Sequence, residues 1–219
     1  MLFRSHLARG MLLPRFDYEA PETIEQACNL LAGAPAGEAR VLAGGTDLLV
    51  KMKRGELRPR LVVSLRRVHG HDRMVASVDR GLSLGPLCTM SRLERSPLLT
   101  RSWAAIADGA AVVGGPLIRN RATIGGNVIN ARPCADTVSP LIALGAELEL
   151  TSAARGMRQL PIDGFIKGPG QPDLAPGEIL TGIHLPLAAR GTSLGSAYRT
   201  VRRRAAMEVT VAGVAAAVV

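Results

Sequence analysis

The stretch Ala122-Thr-Ile-Gly-Gly-Asn127 has a near-echo far upstream in Ala43-Gly-Gly-Thr-Asp-Leu48. Each Gly-Gly pair follows a short apolar run, a position typical of the end of a strand, where backbone N–H groups point outward. Because glycine has no side chain, a ligand can approach such a pair closely, and the N–H groups can cradle a phosphate. Two such pairs in one chain indicate a ligand with two adjacent phosphates, and we predict a flavin adenine dinucleotide (FAD) site.

The composition is that of a globular protein. With 219 residues and 47% hydrophobic content, the chain can form one domain or two small lobes. It has neither an apolar run long enough to cross a bilayer nor a signal-peptide core near its start, which predicts a cytoplasmic protein without membrane insertion. The formal net charge is +9, but only 3% of the residues are aromatic and no nucleic-acid-binding motif occurs. We therefore predict attraction for an anionic cofactor or an acidic partner surface, and no nucleic-acid binding.

The cysteines and histidines are dispersed along the chain. Cys28, Cys88 and Cys134 are far apart and odd in number, and the four histidines are equally scattered. This spacing offers neither a disulfide framework nor a C-x-x-C site, so we predict no metal site on this chain.

Local signals place the first glycine pair between a strand and a helix. Thr23-Ile-Glu-Gln26 has the form of a capping box and predicts a helix that ends before Gly33 as its C-cap. Residues 41–43 read as a strand, and Thr46 as the N-cap of a helix whose N-terminal N–H groups face the glycine loop. The alternative is an ordinary strand–turn–helix corner. Residues 98–111 carry a helical stripe with Trp103 in the core.

The second glycine pair is followed by further candidate polar groups. Thr123 offers a hydroxyl to a phosphate or ribityl oxygen, and Asn127 can bond to local backbone. The alternative is a tight turn in a glycine-rich coil. The Asp136 carboxylate could accept hydrogen bonds from ribose or flavin groups, or cap the helix that follows, and the sequence does not choose between these two. There is no G-x-G-x-x-G motif, so a Rossmann site is not supported.

The chain ends in an apolar run, residues 209–219, which reads as a strand. A terminal strand with nothing after it is an exposed edge unless something else pairs with it. We therefore expect the chain to be cut short.

Taken in order, the motifs resemble those of the FAD-binding (medium) subunit of the molybdenum hydroxylases, the family of carbon monoxide dehydrogenase, xanthine dehydrogenase and 4-hydroxybenzoyl-CoA reductase. The motifs are Ala43–Leu48, Ile118–Asn127, Ala135-Asp136 and Gly177–Leu180 before Leu185-Pro186. The resemblance implies an α+β, two-lobed FAD-binding fold of the vanillyl-alcohol oxidase (PCMH) type, with only the start of a third, C-terminal α/β domain.

The resemblance also implies a domain division. Residues 1–10 would be an extension and a candidate for disorder, with Met11 a second possible initiator; residues 11–68 would be the N-terminal FAD-binding lobe and 69–187 the second. Residues 188–219 would begin a truncated C-terminal domain.

The residues that the resemblance assigns to FAD are Val41, Leu42, Ala43, Gly44, Gly45, Thr46, Asp47, Leu48, Val113, Thr123, Ile124, Gly125, Gly126, Asn127, Asp136, Leu180 and Arg199. Arg199 follows Tyr198 at a place where the family often has lysine, and keeps the charge without lysine's compact head. The chemistry belongs to the cofactor. No catalytic acid, base or nucleophile and no metal ligand is therefore assigned.

The implied function is electron transfer. FAD on this chain would receive electrons from [2Fe-2S] clusters on a small partner subunit, with the molybdopterin cofactor on a large subunit, and pass them to an external acceptor such as NAD or a quinone. Only Cys134 lies where 4-hydroxybenzoyl-CoA reductase carries a cysteine-bearing insertion, so we predict no cluster here. The alternatives are a truncated, non-catalytic assembly module of such a complex and a stand-alone flavin oxidoreductase.

Overall fold

A computed structural model describes residues 12–187, 193–203 and 209–219; the predicted extension, residues 1–10, lies outside them. The strands are β1 (Asp17–Glu19), β2 (Ala39–Leu42), β3 (Leu61–Ser64), β4 (Met74–Ser77), β5 (Gly81–Leu84), β6 (Glu147–Ser152), β7 (Gly156–Pro161), β8 (Ile166–Gly168), β9 (Gln171–Pro172), β10 (Ile179–Leu185), β11 (Gly195–Val201) and β12 (Ala212–Val218). The α-helices are α1 (Ile24–Gly33), α2 (Leu48–Lys53), α3 (Met90–Glu94), α4 (Ala104–Ala111), α5 (Pro116–Arg119), α6 (Ile124–Asn130) and α7 (Val138–Ala143).

The N-terminal part forms a three-stranded parallel sheet in the order β1-β3-β2. Its small core consists of buried residues from α1, from β3 and the turn after it, and from β10: Ala27, Cys28, Val63, Leu65, Val68 and Ile179. Ile179 belongs to a strand of the larger sheet, so the larger sheet contributes a residue to the core of the smaller one.

Helix α1 begins as its sequence predicts. The Thr23 hydroxyl accepts a hydrogen bond from the Gln26 N–H at 3.1 Å, and the Gln26 side-chain oxygen accepts one from the Glu22 N–H at 2.9 Å. The predicted C-cap is wrong, because Gly33 is the last helical residue and the cap is Ala34 in extended backbone. The Ala34 N–H reaches the Leu31 carbonyl, so the helix ends without a left-handed residue.

The larger sheet is antiparallel, in the order β4-β5-β10-β6-β7. Helices α3, α4, α6 and α7 contribute to the same core as β5, β6 and β10, including the fully buried Leu84, Ile106, Ile124, Leu141 and Leu148. Strands β4 and β5 form an antiparallel hairpin, and β10 pairs antiparallel with both β5 and β6. No helix of the described residues is long and apolar enough to cross a bilayer.

The stripe predicted as one helix over residues 98–111 is broken. Two single 3-10 turns, Pro97–Leu99 and Arg101–Trp103, precede α4. Thr100 interrupts them with an extended backbone (φ −98°, ψ 156°), which ends the helical hydrogen-bond pattern. Trp103 is partly buried and packs against the larger core.

The predicted C-terminal strand is confirmed as β12, which pairs antiparallel with β11. This hairpin is attached to α4 and the turn before it: the Ser196 hydroxyl accepts from the Ala105 N–H at 3.1 Å, and the Tyr198 N–H donates to Asp108 at 3.0 Å. Val214 and Val218 on β12 are about 70% exposed.

Candidate cofactor site

A cavity of about 410 Å³ lies where the two glycine motifs meet. The loop after β2 forms one wall and the first turn of α6 forms another, while β10 and the segment before it contribute Leu174, Glu178 and Leu180. The volume falls in the range of ordinary small-molecule and cofactor sites, about 300–1,000 Å³.

The first glycine loop presents unused hydrogen-bond donors. Gly45 has a left-handed backbone (φ 79°), and the N–H groups of Gly45, Thr46 and Asp47 bond to no acceptor in the described parts of the chain. Consecutive free N–H groups in a loop of this kind bind anions such as phosphate. Thr46 was predicted as the N-cap of α2, but that position is Asp47, which makes no side-chain cap. The Asp47 carboxylate instead faces Arg132 at 3.2 Å.

Gly44 and Gly125 are required by contacts between protein segments. A Cβ on Gly44 would collide with the backbone carbonyl of Arg121, and one on Gly125 would lie 2.6 Å from the Pro86 side chain. The first motif therefore packs directly on the second at Gly44, and the second packs on the segment at Pro86. A Cβ on Gly126 would meet only the Thr123 hydroxyl, at 3.0 Å, so of the three this glycine faces the most open space.

The second Gly-Gly pair does not follow a strand, which corrects the sequence prediction. It forms the first turn of α6, where Thr123 is the N-cap and accepts the Gly126 N–H at 3.1 Å. The Gly125 N–H donates to the Pro86 carbonyl at 2.9 Å. The N–H groups of Gly125 and Gly126 therefore already have acceptors, unlike those of the first loop. The Thr123 hydroxyl keeps its own proton to donate.

Two polar contacts join α2 and its N-cap to the end of α6 beside the cavity. The Lys51 ammonium donates to the Asn130 side-chain oxygen at 3.0 Å, and Arg132 pairs with Asp47. Lys51 lines the cavity, and its ammonium retains two further donors. The charge at this side suits an anionic ligand.

The rest of the lining is largely apolar and contains Leu48, Leu57, Leu65, Pro86, Leu87, Val113, Ile118, Ala122, Ile129, Leu174, Ile179 and Leu180. Flat heteroaromatic rings are accommodated by such surfaces, with a few polar groups to fix their orientation. Free backbone donors for a diphosphate and apolar walls for rings together fit FAD.

Most of the residues predicted to bind FAD line this cavity: Val41, Ala43, Gly44, Gly45, Thr46, Asp47, Leu48, Val113, Thr123, Gly125, Gly126, Asn127 and Leu180. Leu42 and Ile124 adjoin it in sequence without lining it, and Ile124 is fully buried in the core. The role of each of these residues toward FAD stays a prediction.

Asp136 and Arg199 lie outside the lining. Asp136 is 7% exposed, and its carboxylate accepts hydrogen bonds from the Tyr198 hydroxyl at 3.0 Å and from the Thr210 hydroxyl. Burial, reinforced by this carboxylate, raises the pKa of Tyr198 well above its ordinary value. The alternative that Asp136 caps α7 is wrong, because the N-cap is Thr137 and no side chain caps the helix. Arg199 pairs with Asp108 at 2.7 Å.

An ion pair at the edge of the cavity was not predicted from the sequence. Arg158 on β7 donates two hydrogen bonds to Glu178, at 2.7 and 2.8 Å, and the Glu178 side chain is 1% exposed. Burial alone would raise the pKa of Glu178, but the bonds from Arg158 and from the Ala175 N–H outweigh it and leave the pKa below its usual value. No local pattern links two residues 20 positions apart, so the sequence carried no signal for this pair.

Comparison with known proteins defines the class. Residues 14–188 match the family described as the FAD binding domain in molybdopterin dehydrogenase. The xanthine dehydrogenase FAD-binding subunit of Escherichia coli is 35% identical over 199 residues, which cover 91% of this chain and 67% of that protein. The chain therefore belongs to the family of FAD-binding domains of molybdopterin dehydrogenases.

Solved structures agree in fold. Carbon monoxide dehydrogenase from Hydrogenophaga pseudoflava superimposes with a TM-score of 0.85 at 30% identity, over 93% of this chain and 69% of that one. For quinoline 2-oxidoreductase from Pseudomonas putida 86 the TM-score is 0.82 at 29% identity, over 90% and 67% of the two chains. The predicted fold class, the assignment to an oxidoreductase family and FAD as the cofactor are thereby confirmed. The chain spans about two thirds of the length of these relatives.

Proposed function

We propose that this chain is the electron-transfer subunit of a molybdenum hydroxylase, in which FAD passes electrons from [2Fe-2S] clusters on a partner subunit to an external acceptor. The observation that carries the proposal is the cavity at the two glycine motifs, whose free N–H donors and apolar walls fit FAD in a chain of this family. FAD supplies the capacity to accept and release electrons singly or in pairs.

The chain's own residues bind and orient the cofactor. The N–H groups of Gly45, Thr46 and Asp47 would hold the diphosphate, with Lys51 adding positive charge beside it. Leu87, Val113 and Leu180 would exclude water from the rings. No side chain is needed as acid, base or nucleophile.

The partners proposed are an iron–sulfur small subunit and a molybdopterin large subunit, with NAD or a quinone as acceptor and the cytoplasm as location. Residues 11–68 and 69–187 are proposed as the two FAD-binding lobes and residues 188–219 as the start of a further domain. The proposal is supported by the family match and by relatives named as subunits or medium chains.

The test compares two glycine-to-leucine variants. Gly126→Leu fills the open space at the cavity, whereas Gly33→Leu, at the end of α1, adds a side chain where a Cβ meets nothing within 4 Å. The purified chain is titrated with FAD and its absorption spectrum recorded. We expect flavin binding by the wild type and by Gly33→Leu, and its loss in Gly126→Leu.

A wild-type chain that contains no flavin, takes none up and still assembles with the partner subunits would overturn the proposal in favour of a non-catalytic assembly module. Substrate turnover by the flavin-loaded chain without partners would overturn it in favour of a stand-alone flavin oxidoreductase.

A further inference from the structure

Thr137 uses its hydroxyl differently from the other threonines at helix N-termini. Thr23, Thr89 and Thr123 are N-caps whose side chains accept an N–H from the first turn of their own helix. Thr137 occupies the same position before α7 and makes no such bond. Its side chain is nevertheless fully buried, so its polar atom needs another partner.

That partner is Asn127 on the cavity wall. The Thr137 hydroxyl donates to the Asn127 side-chain oxygen at 2.7 Å. Asn127 lines the cavity, and its backbone N–H is already bonded to the Thr123 carbonyl. With the amide oxygen turned toward Thr137, the NH₂ group at the other end of the amide makes no hydrogen bond to residues 12–187, 193–203 or 209–219.

An asparagine amide has two orientations of nearly equal shape, one offering a donor and the other an acceptor. In this structure the Thr137 hydroxyl holds the oxygen end of the amide, which leaves the NH₂ group as the free end. A ligand atom that bonds to the free NH₂ group is then a hydrogen-bond acceptor.

We propose that Thr137 is a positioning residue for the cofactor, which holds the Asn127 amide so that its NH₂ group donates to an oxygen of FAD. The acceptor is a phosphate, ribityl or ring carbonyl oxygen, since all three share the required chemistry. This inference rests on the proposed function and adds to it a residue that does not line the cavity.

The first test is a pair of substitutions at position 137. The apo form of the 219-residue chain is titrated with FAD, and the Kd is read from flavin fluorescence. Thr137→Val keeps the shape and removes the hydroxyl, and we expect FAD binding to weaken about three- to tenfold, the range of one neutral hydrogen bond. Thr137→Ser keeps the hydroxyl and should bind FAD within about twofold of the wild type.

The second test separates positioning from a general structural role. In an Asn127→Ala background, Thr137→Val should cause no further loss of FAD affinity, because Thr137 acts through the amide. Asn127→Asp keeps the acceptor for Thr137 but replaces the NH₂ group by an oxygen and adds a negative charge. It should weaken FAD binding about tenfold or more while the apo melting temperature is retained, which provides a readout even where Thr137→Val fails to fold.

The outcomes are distinguishable. Normal FAD binding by the wild type together with unchanged binding by Thr137→Val or Asn127→Asp would overturn this inference alone. An equal effect of Thr137→Val with and without Asn127 would also overturn it. A wild-type chain that takes up no FAD would overturn the proposed function and this inference with it.

Discussion

Gly44 is constrained by contacts within the protein. Its missing Cβ leaves room for the Arg121 carbonyl and the Ala122 Cα, both backbone atoms that cannot move aside as a flexible side chain could. A methyl group there must displace one of the two motif segments.

We expect Gly44→Ala to lower the free energy of unfolding by about 1–3 kcal/mol, the usual cost of overpacking a tight site. Urea denaturation of the apo chain measures it. Gly33→Ala, where a Cβ meets nothing within 4 Å, is the matched control and should stay within about 1 kcal/mol of the wild type. Equal stability of the two variants would contradict the close packing.

Lys51 and Lys53 provide a second comparison at the residue scale. Both belong to α2, but Lys51 lines the cavity and Lys53 is exposed away from it. We expect Lys51→Met to weaken FAD binding about tenfold, since a hydrogen bond to a charged group contributes about 1.5 kcal/mol or more, and Lys53→Met to leave it unchanged.

Riboflavin has no phosphate, so its affinity shows whether Lys51 acts on the diphosphate of FAD. Its affinity should be the same for Lys51→Met and the wild type. A parallel loss of riboflavin and FAD binding would show that Lys51 acts on the rings or on the fold instead of the diphosphate.

Among single residues, the sequence predicted the positions of the important glycines but not their contacts with other segments. The Gly-Gly pattern predicts Gly44 and Gly125 as ligand contacts because it permits close approach. The sequence does not reveal that the approaching groups are Arg121 and Pro86, since these contacts join segments distant in the chain.

At the scale of elements, the ion pair of Arg158 and Glu178 ties β7 to the start of β10. The Glu178 carboxylate also accepts the Ala175 N–H at 2.7 Å and so fixes the turn between β9 and β10. Loss of Arg158 would leave a nearly buried carboxylate without its cation. Because Arg158 itself is partly exposed, we expect Arg158→Met to cost about 1–3 kcal/mol, less than for a fully buried pair.

The pH dependence of stability gives an independent check of this pair. Since the folded-state pKa of Glu178 is lowered, its ionised form stabilises the fold above the unfolded-state pKa. That stabilisation is lost as the pH falls through the folded-state pKa. Urea denaturation of Glu178→Gln should therefore show a smaller fall in stability between about pH 5 and pH 2 than the wild type does. Parallel profiles would contradict the assignment.

Elements with strong local signals were predictable, and those set by tertiary contacts were not. The start of α1 and the terminal strand β12 follow from a capping box and an apolar run. The first turn of α6 resembles a glycine coil in sequence and becomes helical because Thr123 caps it and Pro86 accepts a backbone bond. Most positions of the candidate site could be predicted from the motifs. Their hydrogen bonds and packing could not, because these depend on tertiary contacts.

For the whole molecule, the cavity is lined by residues of both sheets and of the loops between them, so a bound ligand should stabilise the chain as a unit. FAD at 100 times its Kd stabilises the folded state by about 2.7 kcal/mol. For a chain of this size each kcal/mol raises the Tm by about 2–4 °C, so we expect an increase of about 5–11 °C.

Differential scanning calorimetry with and without FAD measures this shift. Riboflavin at the same concentration is the control, because it lacks the diphosphate, and should raise the Tm less. A Tm indifferent to FAD at saturating concentration would show that the ligand does not bind the folded chain.

The contact between Gly44 and the Arg121–Ala122 backbone also limits how such proteins can be recombined. Gly44 of the first motif packs against the Arg121–Ala122 backbone of the second, so transplanting residues 40–48 from a relative places a foreign loop against an unchanged segment 118–127. A chimera that exchanges both segments together preserves the fit. The two motifs therefore act as a single module in protein engineering, although more than 70 residues of chain separate them.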